Sequence, residues 1–417
     1  MDKILVQGGA RLQGEVRVSG AKNAALPMMA ATLIAPGVFR LGNVPDLVDV
    51  KTMSHVLRVL GAQVEYANHT LTIDTTGCTY HEAPYELVKT MRASICVLGP
   101  ILARQGRARV SLPGGCAWGP RPVDFHIRAM KELGARVEIE HGYIVAEAER
   151  LKGATITFET SSVGATENAM MAAAVADGTT VLENAAREPE IGALADLLKA
   201  MGARITGEGT GTITIEGVDS LHAADVEVVP DRIETGTFMV ASAITGGDVL
   251  LRGAKREHVS SVITKLRETG AEVRDEPGGL RVVGPVWPHS VNVTTAPYPG
   301  FPTDMQAQMM ALMTVADGTS VITDTIYADR FSHAAELRRL GADITLDRNV
   351  AIVTGVKRLS GAKVMATDLR ASAALILAGL VAEGETEVSR VYHIDRGYEA
   401  IEKKLAGLGA SVQRVRA

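Results

Sequence analysis

Three cations stand where a helix start would least welcome them. Measured back from a recurring turn glycine, Lys22 lies 15 residues before Gly37, Arg92 lies 14 before Gly106 and Arg370 lies 14 before Gly384. The same phase carries Gly164, preceded by Ser161 and Ser162, Asp231, Asp304, and Asp368 beside Arg370. A helix N-terminus presents unpaired N–H groups and partial positive charge, so it favours anions and opposes cations. The acids and the serine have a second reading as ordinary helix caps. Capping is a poor account of Lys22, Arg92 and Arg370, whereas a bound anion accounts for all three. Further guanidinium groups stand at Arg121 in GGCAWGPRPVDFH, Arg330 in YADRFSH and Arg396 in YHIDRGYE. Their planar forks suit bidentate contact with phosphate or carboxylate. Singly each is more often a solvated surface charge, so they carry weight only as a set.

The three cysteines divide by context. Cys96, in the apolar run SICVLGPILA, and Cys78 read as small buried hydrophobes. Cys116 sits in LPGGCAWGPRP, a loop of Gly and Pro with Arg121 nearby, where a cation favours the thiolate. A reactive role and an inert one both stay open for it. His126 and His393 have no Ser or Cys partner at a recognisable spacing and read as supporting positions. No zinc pattern, phosphate loop or dinucleotide fingerprint appears, so neither a metal nor a cofactor is expected.

The elements that must hold these residues repeat. VLRVLGAQVEY, AMKELGARVEI, LLKAMGARITG, KLRETGAEVRD, ELRRLGADITL and KLAGLGASVQR each read as helix, glycine stop and strand. Their glycines, Gly61, Gly134, Gly202, Gly270, Gly341 and Gly409, are spaced by 73, 68, 68, 71 and 68 residues. Upstream in each unit an apolar helix ends at a second turn glycine before a β-rich stretch. Each unit of about seventy residues therefore predicts strand, helix, strand, helix, strand, strand, which is packed α/β structure and not a solenoid. Six units split evenly near Val229-Pro230, and the strands before Ser19 fit either half.

Composition bounds the rest. Across 417 residues, 46% are hydrophobic, 22% charged and only 4% aromatic, which is globular and not disordered. A formal charge of -5 gives no basic face for nucleic acid, so an anionic ligand must be met locally. The apolar runs are too short to span a bilayer, and the first residues lack a signal-peptide core, so a cytoplasmic protein is expected. The odd cysteine count without close pairing fits a reducing compartment.

Eight stretches in order, SGAKNAALP, MRASICVLGP, LPGGCAWGPRPVDFH, ENAAREPEI, PDRIETGTF, FPTDMQAQ, TDLRASA and YHIDRGYE, resemble the UDP-N-acetylglucosamine 1-carboxyvinyltransferase family of enolpyruvyl transferases. The resemblance covers essentially the whole chain. It implies an inside-out α/β barrel fold of two domains, each of three pseudo-symmetric units with helices inside and sheets outside. It places residues 21–229 in one domain, residues 1–20 with 230–417 in the other, and the active site in the cleft between them.

The implied reaction moves the enolpyruvyl group of phosphoenolpyruvate to the 3′-hydroxyl of UDP-N-acetylglucosamine, releasing phosphate by addition and elimination, at the entry to peptidoglycan synthesis. By resemblance Asp304 is the base near that hydroxyl, and Cys116 protonates the methylene carbon or forms a covalent adduct. Lys22, Arg121 and Arg396 match phosphoenolpyruvate positions, with Arg330 and Arg370 around its carboxylate. Asn23, Arg92, Arg121, Pro122, Val123, Asp124, Phe125, Ser161, Ser162, Val163, Gly164, Asp304 and Ile326 match nucleotide-sugar contacts. Asp231 and Asp368 lie beside the reacting groups, and Glu188 lies close. Thr160 departs from relatives that carry Lys there. The implied partners are these two small molecules, with no nucleic acid and no membrane. Two alternatives are a shikimate 3-phosphate enzyme of the same fold, which lacks the GGC loop, and a non-catalytic repeat scaffold.

Overall fold

The computed structural model describes residues 2–89, 91–112 and 123–416, the side chain of Arg92 left aside. Cys116, Arg121 and Pro122 lie outside the described residues. The chain divides into two compact units, Gly20–Val229 and Met1–Ser19 with Pro230–Ala417. Gly20 thus goes with the residues after it, one position from the boundary read from sequence. Among the described residues each unit carries three four-stranded sheets.

The glycine ruler has a backbone cause. All twelve repeat glycines, from Gly37 and Gly61 to Gly384 and Gly409, take positive φ between 61° and 139°, a region closed to most side chains. Between them each repeat builds the same sheet. In the third, Thr155–Thr157 runs parallel to Thr179–Glu183, which pairs antiparallel with Thr212–Glu216, itself antiparallel to Arg204–Thr206. The strands alternate buried and half-exposed residues, so each sheet turns one face to the helices and one to water.

In four repeats the first helix is mainly apolar and buried on every side, which requires a position inside. Ala165–Ala173, Ile233–Ile244, Gln306–Met313 and Arg370–Gly379 are buried without a break. Alanines let these helices approach closely, and Met170, Met171, Met239, Met309 and Met310 fill what is left. The second helix of each repeat, such as Pro189–Ala200, buries one stripe only. Helices inside and sheets outside make each unit an inside-out α/β barrel of three repeats.

The N-terminal strands settle which unit they complete. Gln13–Arg17 runs parallel to Asp248–Arg252 and opens the fourth repeat. Asp2–Gln7 lies between Glu385–Ser389 and Ser411–Arg416, antiparallel to both, and closes the sixth. Conversely Asp225–Glu227 returns to pair with Val38–Gly42 and opens the first. One hydrogen bond recurs around the molecule and confirms the closure. The residue after each last strand donates its N–H to a turn glycine: Thr75 to Gly37, Ala148 to Gly106, Gly217 to Gly178, Gly284 to Gly247, Gly355 to Gly318, and Gly8 to Gly384.

At that point four repeats leave no room for a side chain, Gly284 among them, where a Cβ would lie 2.3 Å from the Ser242 oxygen. A Cβ on Gly217 or Gly355 would lie 1.7 Å from a carbonyl oxygen of its inner helix turn, and one on Gly8 would lie 1.9 Å from the Ala382 oxygen. Gly8→Ala is therefore expected to lower stability by roughly the 1–3 kcal/mol of an overpacked core. Thermal denaturation checks this; an unchanged melting temperature would mean that the N-terminal strand does not seal the sixth sheet.

Candidate active site

In the unit containing residues 230–417, Asp304 sits in the turn Thr303–Met305 that leads into the inner helix Gln306–Met313. It caps nothing. Its Oδ1 pairs with Arg330 at 2.7 Å and its Oδ2 with Arg370 at 2.9 Å. Both guanidiniums are almost fully buried, Arg330 at 9% and Arg370 at 5% exposure. Burial by itself would raise the carboxyl of Asp304, but Arg370 and then Arg330 outweigh it and hold the group well below the usual carboxylate range. Asp304 is thus ionised at any working pH.

Arg330 is held from behind. Buried Asp324 accepts the N–H groups of Ile326 and Tyr327, each at 2.9 Å, and the Thr303 hydroxyl at 2.6 Å. That hydroxyl in turn accepts from Arg330 at 3.2 Å. Arg370, on the first turn of helix Leu369–Gly379, lies 5.6 Å from the ring centre of buried Tyr398. Around this pair stand Asp231 and Asp368, which do cap. Asp231 accepts from Ile233 and Glu234 N–H at 2.7 and 3.0 Å, and Asp368 from Arg370 and Ala371 N–H at 2.8 and 3.1 Å. Half-buried His393 feels both Asp368 and Arg396; burial pulls its imidazole below the ordinary value, Asp368 opposing and Arg396 assisting. Arg396 ends the short helix Val391–Arg396, and Ile326 is about a third exposed.

In the unit Gly20–Val229, Lys22 opens helix Lys22–Ala31 with no side-chain cap before it. Its ammonium meets Asp49, 3% exposed, at 3.1 Å. The anion demanded by cations at helix starts is therefore met, for Lys22 and Arg370, by carboxylates of the chain itself. Arg92 begins the turn Arg92–Val97. Asn23 is half-buried beside Lys22. Ser162 caps helix Val163–Ala173 through the Ala165 N–H at 3.4 Å, so its capping role is real. Val123 and Phe125 are half-buried, Asp124 is exposed, and all three stand at the start of helix Asp124–Glu132. Thr160 is exposed, and Glu188 precedes helix Pro189–Ala200.

His126 ties these helix starts together. Asn168 accepts from Gly99 N–H at 2.7 Å, which turns its amide nitrogen toward His126 Nδ1 at 3.0 Å. Nδ1 is then the acceptor and the proton sits on Nε2. A Cβ on Gly164 would lie 3.2 Å from the His126 ring, so glycine there permits the close approach. One helical turn deeper, Glu167 is 4% exposed, its Oε1 has no hydrogen-bond partner among the described residues, and the Cys96 thiol lies 3.8 Å from Oε2. Burial first, then Glu190 and Glu188, push the Glu167 carboxyl well above its ordinary value.

Sequence reading passed over Asp49, Asp324, Tyr398 and Glu167. Asp49 is acidic in a first helical turn and Asp324 follows a strand, both commonplace positions. Glu167 and Asn168 did leave a signal, making with Thr166 three polar residues inside an otherwise apolar helix. Among the described residues no group of His, Cys, Asp or Glu is arranged to hold a metal ion, and no helix is long and apolar enough to cross a membrane.

Residues 6–405 match the family model described as EPSP synthase (3-phosphoshikimate 1-carboxyvinyltransferase). A UDP-N-acetylglucosamine 1-carboxyvinyltransferase of Geobacter metallireducens is 58% identical over 416 residues, covering all of both chains. The protein of the same name from Myxococcus xanthus is 56% identical over 420 residues, again covering both completely. The crystal structure of the enolpyruvyl transferase NikO from Streptomyces tendae superposes with a TM-score of 0.90 at 28% identity, covering 100% of this chain and 99% of that one. EPSP synthase from Acinetobacter baumannii, at 18% identity and a TM-score of 0.78 over the full length of both, shares the fold. The chain belongs to the EPSP synthase family and is an enolpyruvyl transferase built from two threefold-repeated α/β units.

Proposed function

We propose that the protein transfers the enolpyruvyl group of phosphoenolpyruvate to the 3′-hydroxyl of UDP-N-acetylglucosamine, releasing phosphate and supplying peptidoglycan synthesis. The observation that carries the chemistry is the ionised Asp304 clamped by two buried guanidiniums. The acceptor is supported by full-length relatives at 56–58% identity that bear that name. A family model named for the shikimate 3-phosphate enzyme marks the shared fold and donor; the GGC sequence around Cys116 argues against that acceptor.

The reading assigns residues of both units to one reaction. The acceptor oxygen attacks the central carbon of phosphoenolpyruvate while its proton passes to Asp304. A carboxylate held this low cannot generate a free alkoxide, so proton transfer accompanies attack. Cys116 delivers a proton to the methylene carbon, which completes a tetrahedral intermediate. The carbon–oxygen bond to phosphate then breaks as a methyl proton leaves, restoring the double bond. Lys22, Arg121 and Arg396 hold the phosphate end, and Arg330 and Arg370 hold the carboxylate with donors not spent on Asp304. Asn23, Arg92, Arg121–Phe125, Ser161–Gly164 and Ile326 hold the nucleotide sugar. The reaction needs no cofactor, and we place it in the cytoplasm. Phosphate release measured with phosphoenolpyruvate and each acceptor in turn tests the reading. Release with UDP-N-acetylglucosamine alone is expected; release with shikimate 3-phosphate, or with neither, would overturn it.

A further inference from the structure

Among the described residues four donors converge on one buried carboxylate beside the Asp304 clamp, and they divide between its two oxygens. Asp324 is 0% exposed and directly follows strand Thr319–Thr323. Its backbone is pinned to the turn between strands Asp343–Asp347 and Val350–Thr354. There its N–H donates to the Asn349 carbonyl at 2.9 Å, and its own carbonyl accepts from the Asn349 amide at 3.2 Å. Oδ1 accepts the Ile326 and Tyr327 N–H groups and the hydroxyl of buried Thr295, each at 2.9 Å. Thr295 in turn accepts the Thr325 N–H at 3.0 Å, and its carbonyl accepts the Thr325 hydroxyl at 2.6 Å. These bonds fix the turn that carries Ile326.

Oδ2 accepts the fourth donor, the Thr303 hydroxyl, at 2.6 Å. The other neighbour of Thr303 settles where its proton goes. Arginine can only donate, so Thr303 accepts from Arg330 Nη1 at 3.2 Å and turns its single proton to Asp324. A hydroxyl proton turned toward the guanidinium would repel it. Arg330 Nη2 meets Asp304 Oδ1 at 2.7 Å. Thr303 and Asp304 are also neighbours in the turn Thr303–Met305, so the bond to Asp324 anchors the turn from which Asp304 projects.

We infer that Asp324 is a positioning residue that serves the two substrates through separate oxygens. Oδ1 sets the turn that presents Ile326 to the nucleotide sugar. Oδ2, through the Thr303 hydroxyl, sets the Arg330 guanidinium that grips Asp304 and the carboxylate of phosphoenolpyruvate. The inference rests on the roles proposed above for Ile326 and Arg330. A carboxylate that only stitched loops together would show no such division, since loosening either side would disturb both ligands alike.

Thr303→Val keeps the shape and removes the hydroxyl. Losing a hydrogen bond to a charged group is expected to raise KM for phosphoenolpyruvate about tenfold, while UDP-N-acetylglucosamine, titrated alone by calorimetry, binds as to wild type. Thr303→Ser restores the hydroxyl and is expected to restore the KM. Thr303→Ala, which leaves space for water at Asp324 Oδ2, is expected to behave as the valine variant and serves where that one does not fold. Thr295→Val loosens the Oδ1 side and is expected to reverse the pattern, weakening nucleotide-sugar binding about threefold or more with KM for phosphoenolpyruvate unchanged. Normal phosphoenolpyruvate kinetics in the folded Thr303 variants, equal losses for both ligands, or no rescue by serine would overturn the inference. Normal phosphoenolpyruvate kinetics in Arg330→Lys would instead overturn the role given to Arg330, and wild-type enzyme inactive with UDP-N-acetylglucosamine would overturn the proposed function itself.

Discussion

Asp304→Asn is expected to lower kcat by about 10²–10⁴-fold, the usual contribution of a positioned general base. Asparagine has nearly the same shape but accepts no proton. The variant is also expected to be less stable, because Arg330 and Arg370 lose the carboxylate that both of them grip. Removing one partner of a buried ion pair costs about 3–5 kcal/mol. The pH dependence follows from the depressed value of Asp304. A carboxyl held below its unfolded value of about 3.9 stabilises the fold above that pH, and the contribution fades as pH falls through the folded value. Wild-type and variant melting temperatures should therefore differ near neutrality and converge in strong acid. Rates corrected for the folded fraction separate the two effects, and a kcat within twofold of wild type would remove Asp304 from the chemistry.

Cys116→Ala is expected to cost a similar factor, about 10²–10⁴ in turnover, if the thiol supplies the proton to the methylene carbon. Cys116→Asp should keep turnover, since a carboxylic acid can also give a proton. An epoxide-bearing phosphonate, which pairs an anion like that of phosphoenolpyruvate with an electrophilic carbon, should alkylate wild type once and the Asp variant not at all. The other two thiols are sheltered: Cys78 and Cys96 are 5% and 3% exposed, and burial raises the Cys78 thiol above its ordinary value despite Arg104. Peptide mapping of the alkylated protein is the check. Label on Cys78 or Cys96, or full activity in Cys116→Ala, would break the assignment.

The sixfold order was legible in the sequence because it rests on local chemistry. A glycine at positive φ leaves a mark that needs no knowledge of distant contacts, and so does a helix without a polar face. The phase of the cations was legible for the same reason, since their conflict with a helix start is a local one. The partners that resolve the conflict are not local. Asp49 lies 27 residues from Lys22, and Asp304 lies 66 from Arg370; only the packing of separate helices brings them within reach. The distinction between Asp304 and the capping residues Asp231 and Asp368 was likewise invisible. All three are acids at one phase of the repeat, and what separates them is whether backbone N–H groups or guanidiniums meet the oxygens. The N-terminal strands needed the sheet itself, because Asp2–Gln7 and Gln13–Arg17 complete different repeats of one unit.

The claim beneath every role assigned here is that the acceptor oxygen attacks carbon and phosphate leaves with the bridging oxygen. Phosphoenolpyruvate carrying heavy oxygen at its carbon–oxygen–phosphorus bridge, turned over with UDP-N-acetylglucosamine and followed by mass spectrometry of both products, tests that claim directly. The account predicts heavy phosphate and a nucleotide sugar bearing an unlabelled three-carbon unit. Light phosphate with the label retained in the organic product, or a nucleotide sugar that gains phosphate in place of carbon, would contradict it.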